Sequence, residues 1–254
     1  MNVCFPVEQS QRRGLWDWHS GRAAAGLLAS LLVIGFCLAG CRSAHPVEEA
    51  AASQGPATAT PQTTFEPGRP VSLFDGQSLG LWNVTEFGGQ GDVSVKDGAI
   101  VMEMGNYATG ITWAGPLVRM NYEITLDALR IEGSDFFCGL TFPVGESPCT
   151  LILGGWGGTL CGLSSLNYFD ASENETTTFV SFENGKWYHV RLRVVPNRIQ
   201  VWLDDESLID VDTTGRHIDI RMEMDLCVPL GIATWVTTGA VRNIYLTRLP
   251  EGTE

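Results

Sequence analysis

Positive charge and histidine are scarce in this chain, and each shortage excludes a class of function. The 254 residues include 16 lysines and arginines against 29 aspartates and glutamates, which gives a formal net charge of −13 at pH 7. Such a surface repels nucleic-acid phosphates, so no nucleic-acid partner is expected. Of four histidines, only His189 and His217 lie beyond residue 50. A histidine-based metal centre is therefore not predicted, and neither is a cofactor.

Several catalytic signatures are also missing. The sequence has no G-x-S-x-G, no H-E-x-x-H and no P-loop pattern. These absences exclude the usual nucleophile elbow, the helical zinc-protease site and the common nucleotide-binding loop.

The N-terminus has an apolar run that is short for a membrane span. Residues 23–39 follow three arginines and are almost wholly apolar, but 17 residues are fewer than the roughly 20 that a spanning helix needs. The run ends in Leu38-Ala39-Gly40-Cys41, which resembles the bacterial lipobox. We therefore predict a signal peptide over 1–40, cleavage before Cys41, and lipidation of Cys41 that anchors the protein to a membrane.

Two alternatives stay open for the leader: an uncleaved membrane helix, and a twin-arginine export signal at Arg12-Arg13. In either export route the protein is expected in the cell envelope, facing the periplasm or the cell surface. Residues 41–70 are rich in Ala, Thr, Pro and Gln, and are predicted to be a flexible tether. Residues 71–249 form the predicted folded domain, and 250–254 a tail.

The domain shows strand periodicity and no convincing helical stripe. Apolar residues alternate with polar ones over 122–128, and again over 188–194 and 199–203, which Pro196-Asn197 joins as a hairpin. Residues 93–95 and 99–104 flank Lys96-Asp97-Gly98 as a second hairpin, and 241–249 form a closing strand. The pattern predicts an all-β sandwich or barrel.

Several short motifs occur in an order that resembles one protein family. They are Leu73-Phe74-Asp75-Gly76 with Trp82, Val93–Ile100, Cys138–Phe142, Gly185–Tyr188, Arg198–Leu203, Leu230–Ile232 and Val241–Ile244. Together they resemble the 3-keto-disaccharide hydrolase domain. The resemblance implies a concanavalin-like jelly-roll β-sandwich and an exported protein that acts on 3-keto-glycosides or other sugars. Most of the shared residues are core or turn types, so the match predicts the fold better than the activity.

Candidate sugar-binding residues lie in two places. The glycine-rich segment 148–174 carries Trp156 and Tyr168, whose rings could stack on sugars; a sheet edge with a buried tryptophan is an equally good interpretation. The predicted hairpin puts His189, Arg191 and Trp202 on one face, which is either a sugar-binding patch with His189 as acid/base or an ordinary exposed face.

Carboxylate pairs are candidates for catalysis, because glycoside hydrolysis needs two carboxylates close together. If Glu223-Met224-Asp225 is a strand, Glu223 and Asp225 point to the same side, but the third carboxylate of laminarinase-like glycosidases is missing. Glu123 and Asp127 form another such pair, which a solvated sheet face also explains. The acidic run at 204–206 with Asp210 and Asp212 predicts a solvated turn, since its spacing fits no known calcium loop.

Four cysteines remain in the domain: Cys138, Cys149, Cys161 and Cys227. Export permits disulfides, and four cysteines allow three full pairings, which the sequence leaves open together with free thiols. A bridge between Cys149 and Cys161 would fix the glycine-rich segment.

Three functional hypotheses follow. The first is an exported lipoprotein hydrolase of 3-keto-glycosides, with His189, Glu223 and Asp225 as catalytic candidates and Trp156, Tyr168, Arg191 and Trp202 as substrate-binding candidates. The second is a non-catalytic carbohydrate-binding lipoprotein. The third is an envelope protein without a ligand. A convergent cluster with a buried carboxylate or histidine would favour the enzyme.

Overall fold

The structure is a computed structural model, and it describes residues 64–253. The predicted signal peptide, the lipidation site Cys41 and most of the predicted tether lie outside the described residues. Within residues 64–253, no helix is both long enough and apolar enough to span a membrane.

Period-two alternation in the sequence becomes strand structure almost throughout. Fifteen strands occur in the described residues: β1 Pro70–Ser72, β2 Trp82–Val84, β3 Val93–Lys96, β4 Ala99–Met102, β5 Ala108–Trp113, β6 Tyr122–Gly133, β7 Cys138–Val144, β8 Ser147–Gly154, β9 Leu160–Ser164, β10 Thr178–Phe179, β11 Trp187–Val195, β12 Arg198–Leu203, β13 Glu206–Asp212, β14 Gly231–Trp235 and β15 Thr237–Arg248.

These strands form two antiparallel sheets. The eight-stranded sheet has the order β13-β12-β11-β6-β15-β4-β3, with β1 paired to β15. The seven-stranded sheet has the order β10-β9-β8-β7-β14-β5-β2. Each sheet combines consecutive hairpin strands, such as β11-β12-β13 and β7-β8-β9, with strands brought together from distant parts of the chain, such as β6 with β15 and β7 with β14. This is the predicted all-β jelly-roll sandwich, and the fold prediction is confirmed.

The main core lies between the two sheets. Along β6 and β11 every second side chain is buried, as the alternation predicted, and these meet buried side chains of β7, β8 and β9. Tyr122 is fully buried there, and its hydroxyl donates a 2.6 Å hydrogen bond to the Pro143 carbonyl. Burial raises the pKa of Tyr122 well above its usual value, so the hydroxyl stays protonated and keeps donating.

Strand ends differ slightly from the predictions. The predicted hairpin of β11 and β12 pairs Val190 with Leu203 through Val195 with Arg198. The closing strand β15 begins at Thr237, four residues before the predicted start, because Thr237 and Thr238 continue the ladder with β6. Asp204 and Asp205 have φ of 49° and 69° and form the predicted turn between β12 and β13, whereas Glu206, Asp210 and Asp212 lie on strand β13.

Part of the predicted tether belongs to the folded domain. Phe65 packs against the main core, and the Gly68 N–H donates a 2.8 Å hydrogen bond to the Arg248 carbonyl. Residues 65–70 thus contact the same sandwich that 71–249 was predicted to form.

The four cysteines of the domain are all buried free thiols. Burial raises the pKa of Cys138, Cys149 and Cys227 to about 12 and that of Cys161 to about 11. The bridge considered between Cys149 and Cys161 is absent: Cys149 pairs across the sheet with Phe142, and Cys161 with Leu153. The glycine-rich segment is fixed by strand pairing instead.

The segment around Glu223 is not a strand, which corrects the prediction for Glu223 and Asp225. Met222–Cys227 form a 3-10 helix. Met224 and Cys227, three residues apart, are the buried members of this helix, and this is the spacing of one face of a helix with three residues per turn. Residues two apart, such as Glu223 and Asp225, therefore point in different directions.

Candidate functional site

The seven-stranded sheet buries side chains on both of its faces. A second apolar cluster lies on the face turned away from the main core, and includes Phe136, Ile152, Met224 and Cys227. Small residues on this outer face allow the covering segments to lie close to the sheet. A Cβ on Gly139 would collide with Phe136, and a Cβ on Gly162 would collide with Ala171. The sheet therefore carries a thin second layer formed by loops and by the 3-10 helix.

A cavity of about 210 Å³ opens in this second layer. Its floor is formed by Thr150 and Ile152 of β8 and Ser164 of β9, and its walls by Asp135, Phe136, Trp156, Arg221, Glu223, Met224 and Trp235. Two tryptophans, two carboxylates and one guanidinium thus converge on one space. This combination of apolar walls with a few polar groups is typical of ligand sites.

Trp156 sits at the tip of the hairpin that joins β8 to β9. Gly154 and Gly157 have φ of 79° and 92°, and Trp156 itself has φ of 47°. The tip is fixed from below by buried Arg130, whose Nη1 donates a 3.1 Å hydrogen bond to the Gly158 carbonyl. A side chain at Gly158 would collide with that guanidinium, so glycine is required for this arrangement.

Trp235 forms the opposite wall at the end of β14. Its ring packs on Phe136 at 6.2 Å and on Tyr107 at 5.6 Å between centroids. The Trp235 N–H donates a 3.0 Å hydrogen bond to the Phe136 carbonyl, which holds Asp135 beside the cavity. Asp135 is half-buried and its Oδ1 accepts a 2.8 Å hydrogen bond from the Phe136 N–H. Among residues 64–253, no hydrogen bond is formed to its other carboxylate oxygen.

Arg221 links the two loops that cover the cavity. It donates through Nη1 to Asp170 at 2.6 Å, and through Nη2 and Nε to the two carboxylate oxygens of Glu223 at 2.8 and 3.3 Å. The hydrogen bond to Arg221 is the largest influence on Glu223 and lowers the pKa of its carboxyl. Burial raises the pKa of Asp170, but hydrogen bonds from Ser172 and Arg221 outweigh it and the net pKa is lowered. Both carboxylates are thus held ionised.

The floor contains one unpaired polar atom. The Ser164 side chain is buried, and its Oγ has no hydrogen-bond partner among the described residues. The neighbouring Thr150 hydroxyl is paired with that of Thr141 at 2.9 Å. A buried hydroxyl without a partner is costly to leave unpaired, and here it lies in the lining of the cavity.

Three of the predicted site residues, His189, Arg191 and Trp202, lie on the outer face of the eight-stranded sheet. His189 Nδ1 is 2.9 Å from Oδ1 of Asp127, and Oδ2 of the same carboxylate accepts hydrogen bonds from Arg242 and Asn243. Burial raises the pKa of Asp127, but the hydrogen bonds from His189, Asn243 and Arg242 outweigh it, so the net pKa is lowered. His189 therefore has a carboxylate partner but lines no part of the cavity.

Arg191 and Trp202 are neighbours on this same face. The Arg191 guanidinium lies 3.7 Å from the centroid of the Trp202 ring, and Arg191 and Arg193 both pair with Glu123. The upper face of the Trp202 ring is therefore covered by a cation. The structure separates these two residues from Trp156, while Tyr168 lies on the loop that precedes Asp170.

Of the seven predicted catalytic and substrate-binding residues, Trp156 and Glu223 line the cavity. Asp225 belongs to the same 3-10 helix but is exposed and does not line it. Sequence reasoning missed Asp135, Arg221, Trp235 and Ser164. Asp135 could have been noticed from the sequence, because Asp135-Phe136 follows Gly133-Ser134 at the end of a strand, where functional residues are common. The contact between Arg221 and Asp170 could not, because the two residues are 51 positions apart and no local pattern connects them.

The comparisons with known proteins found no match among curated proteins. Among solved structures, a Parabacteroides distasonis protein assigned to the glycosyl hydrolases is 16% identical, with 71% of this chain and 94% of that chain covered and a TM-score of 0.47. The Bacillus subtilis carbohydrate-binding module CBM66 is 13% identical over 66% and 95% of the two chains, at a TM-score of 0.43. A Bacillus subtilis protein with a galectin-like fold is 10% identical over 73% and 98%, at 0.49.

A family model matches much more of the chain than any short motif does. It is described as the 3-keto-alpha-glucoside-1,2-lyase-like domain and matches residues 69–247, which is nearly the whole sandwich. The family resemblance drawn from the motifs is confirmed, and it supports a carbohydrate-related role. The chain belongs to the 3-keto-alpha-glucoside-1,2-lyase-like domain family.

Proposed function

We propose that this protein cleaves 3-keto-glycosides, of the 3-keto-disaccharide type, in the cavity on the outer face of the seven-stranded sheet. One observation carries the proposal: this cavity brings Asp135, Glu223 and Arg221 together between the rings of Trp156 and Trp235. Aromatic rings suit the apolar face of a sugar, and the charged groups suit a proton transfer. Family membership supports the substrate class.

The chemistry requires only one well-placed base. A ketone at C3 acidifies the proton on C2, so a carboxylate can remove that proton. The electron pair then forms the C1–C2 double bond as the bond from C1 to the glycosidic oxygen breaks, and the leaving oxygen takes up a proton. The product is an unsaturated keto-sugar, and later addition of water to its double bond would make the overall reaction a hydrolysis.

Asp135 is our candidate for the base. It lies in the cavity wall, half-buried, with one oxygen held by the Phe136 N–H. Glu223 suits this role less well, because its bidentate pairing with Arg221 lowers its pKa and occupies both oxygens. Arg221 retains N–H groups beyond those three bonds, which could stabilise the negative charge that develops on the C3 oxygen.

The test is release of monosaccharide or unsaturated sugar from a 3-keto-disaccharide, compared with its unoxidised parent, using the chain from residue 42 onward. We expect turnover of the keto-sugar alone. Asp135→Asn should reduce kcat by about 100-fold or more, because a general base contributes about 10²–10⁴. Asp127→Asn on the opposite sheet is the matched change and should leave kcat within about twofold.

Two results would contradict this assignment. If His189→Gln or Asp127→Asn abolishes turnover while Asp135→Asn does not, the reaction takes place on the eight-stranded sheet. If no keto-sugar is cleaved but a glycan binds in the cavity, the protein is a carbohydrate-binding module.

We further propose that the domain works in the cell envelope, attached to a membrane by lipidation of Cys41. The support is the apolar run at 23–39 and the four residues that end at Cys41. Cys41→Ser should move the protein from the detergent-extracted membrane fraction to the soluble fraction and abolish labelling by a palmitate analogue. Unchanged labelling in that variant would exclude this anchor.

A further inference from the structure

Exposed aromatic and apolar side chains surround the cavity, and they extend well beyond it. Tyr107, Trp156, Tyr168, Phe169, Met222 and Leu226 are each 46% exposed or more. Scattered apolar residues are ordinary on a protein surface, but a set gathered around one cavity indicates a binding surface. The following inference rests on the proposed function and extends it to the length of the substrate.

One end of this surface is Tyr107, immediately before β5. The Tyr107 ring is 67% exposed, and its centroid lies 5.6 Å from that of Trp235, which lines the cavity. The Tyr107 carbonyl accepts a 2.9 Å hydrogen bond from the Val236 N–H, so the position of the residue is fixed by the backbone. The cavity wall therefore continues outward as a second aromatic surface.

The other end is Tyr168, beyond β9. The Tyr168 ring is 80% exposed and stacks on His217 at 4.3 Å between centroids. Leu166 and Phe169 exchange two 2.9 Å backbone hydrogen bonds, so Asn167 and Tyr168 form the tip of a tight turn. Asp170, which pairs with Arg221 of the cavity, follows directly.

Two of the exposed rings around the cavity, those of Trp156 and Tyr168, are held in a backbone conformation that favours glycine. Trp156 has φ of 47° and Tyr168 has φ of 72°. A bulky residue with positive φ is a true outlier, and such residues concentrate at functional sites. Glycine would suit either turn better, so a role in folding does not explain the aromatic side chain.

The distance between the two ends exceeds the length of a disaccharide. β5 and β9 are separated in the sheet by β14, β7 and β8, which makes four inter-strand spacings. At about 4.8 Å each, the strand that Tyr107 precedes and the strand that Tyr168 follows are roughly 19 Å apart. A disaccharide bound in the cavity would leave at least one of the two rings without a partner.

The charge of the surface restricts the type of chain. Asp135, Glu223 and Asp170 outnumber Arg221 at the cavity, and the whole chain has a formal charge of −13. Uronic acids and sulfated sugars would be repelled. We propose that the natural ligand is a neutral oligosaccharide or polysaccharide chain that runs from Tyr107 through the cavity to Tyr168, with a ring stacked at each end.

The experiment measures affinity against chain length. The chain from residue 42 onward is titrated with neutral α-linked and β-linked gluco-oligosaccharides of two to six units, and with an oligogalacturonate of six units. We expect affinity in at least one neutral series to rise tenfold or more from the dimer to the hexamer, and no binding of the oligogalacturonate. Tyr107→Ala and Tyr168→Gly should each remove much of that rise while leaving dimer affinity within twofold.

Tyr168→Gly also separates binding from folding. Because glycine accepts a φ of 72° without strain, this variant should melt at the wild-type temperature or above it. Lost hexamer affinity together with an unchanged melting temperature would therefore indicate a binding ring.

Three results overturn the proposal: affinity that does not change with length in both neutral series, equal losses for dimer and hexamer in the variants, or preference for the oligogalacturonate. Tight capture of a lipid vesicle or a protein that Tyr168→Gly abolishes, with no glycan bound, would also overturn it. Cleavage of a 3-keto-disaccharide with no gain from length would overturn this inference alone and leave the proposed function standing.

Discussion

The two outer faces of the sandwich carry the same residue types in different arrangements. On the eight-stranded sheet, tryptophan, arginine and carboxylate satisfy one another: Arg191 covers Trp202 at 3.7 Å, Arg242 covers Trp187 at 4.1 Å, and each arginine also pairs with an acid. On the seven-stranded sheet, the tryptophans stand apart and face a cavity.

The difference lies in what covers the sheet. The eight-stranded sheet has long polar side chains that lie flat on it, so its aromatic rings and charges are matched in place. The seven-stranded sheet has small residues on its outer face, and loops from elsewhere in the chain form a second layer over them. The cavity of the candidate site lies in a gap of this second layer, whereas Trp187 and Arg242 line a broader depression of about 700 Å³ on the eight-stranded face. Whether an aromatic or charged residue is available to a ligand therefore depends less on its type than on the size of the side chains around it.

The largest expected effect comes from exchanging arginine for methionine on each face. Arg221→Met should lower kcat/KM for the cleaved sugar by about 100-fold, since one lost oxyanion donor costs 10²–10³. Arg191→Met should change kcat/KM by less than about twofold and lower stability slightly, because a pair at a partly exposed site contributes little. Steady-state kinetics and thermal melting of both variants check this.

Arg221→Lys provides the control for charge alone. It should recover only part of the lost rate, because lysine cannot make the bidentate contact with Glu223. Equal losses for Arg221→Met and Arg191→Met would mean that both faces take part, and the contrast between them would fail.

A smaller effect is expected from removing one tryptophan on each face. Trp202→Ala should lower the free energy of unfolding by about 1 kcal/mol, since it loses a cation–π contact with Arg191. Trp156→Gly should leave that free energy within about 1 kcal/mol of wild type, because relief of the left-handed strain offsets the added freedom of the unfolded chain.

Ligand binding should show the reverse order. Trp156→Gly should weaken sugar binding at least tenfold, and Trp202→Ala should not. Urea unfolding and calorimetric titration of both proteins measure the two quantities. A Trp156→Gly protein that binds normally would show that the hairpin tip is not part of the site.

The sandwich was predictable because period-two alternation is a local signal. Residues 122–128 and 188–203 form the predicted strands, since burial of every second side chain fixes both the strand and its face. The strand prediction for Glu223 and Asp225 was wrong because it relied on a pattern only three residues long, over which a strand and a 3-10 helix look alike. The burial of both Met224 and Cys227 in the structure identifies the helix.

The site was less predictable because it is built from segments distant in sequence. Arg221 reaches Asp170 across 51 positions, and Trp235 holds Asp135 through a backbone contact across the sheet. His189 and Trp202 had stronger local patterns, and the structure places them on the face where charges are matched. Trp156 was a candidate from the sequence because it lies among glycines in a segment that could form a loop over the sheet.

The smallest expected effect concerns acid, and it compares one carboxylate on each face. Asp127 and Glu223 both have a lowered pKa in the folded protein: for Asp127, hydrogen bonds from His189, Asn243 and Arg242 outweigh burial, and for Glu223 the bond to Arg221 is the largest cause. The stabilising contribution of each is fully present above its unfolded pKa of about 4 and is lost as pH falls through the lower folded value.

Asp127→Asn should therefore lower the free energy of unfolding by about 1 kcal/mol at pH 6, and the difference from wild type should shrink towards pH 2. Glu223→Gln should follow the same direction with a smaller and more salt-sensitive difference, since the side chain of Glu223 is 37% exposed and that of Asp127 only 17%. Urea titrations from pH 2 to 7, at low and high salt, measure both. A difference for Asp127→Asn that grows in acid would mean that His189, Arg242 and Asn243 do not hold this carboxylate ionised, and that the charges of the eight-stranded face are not matched as its geometry indicates.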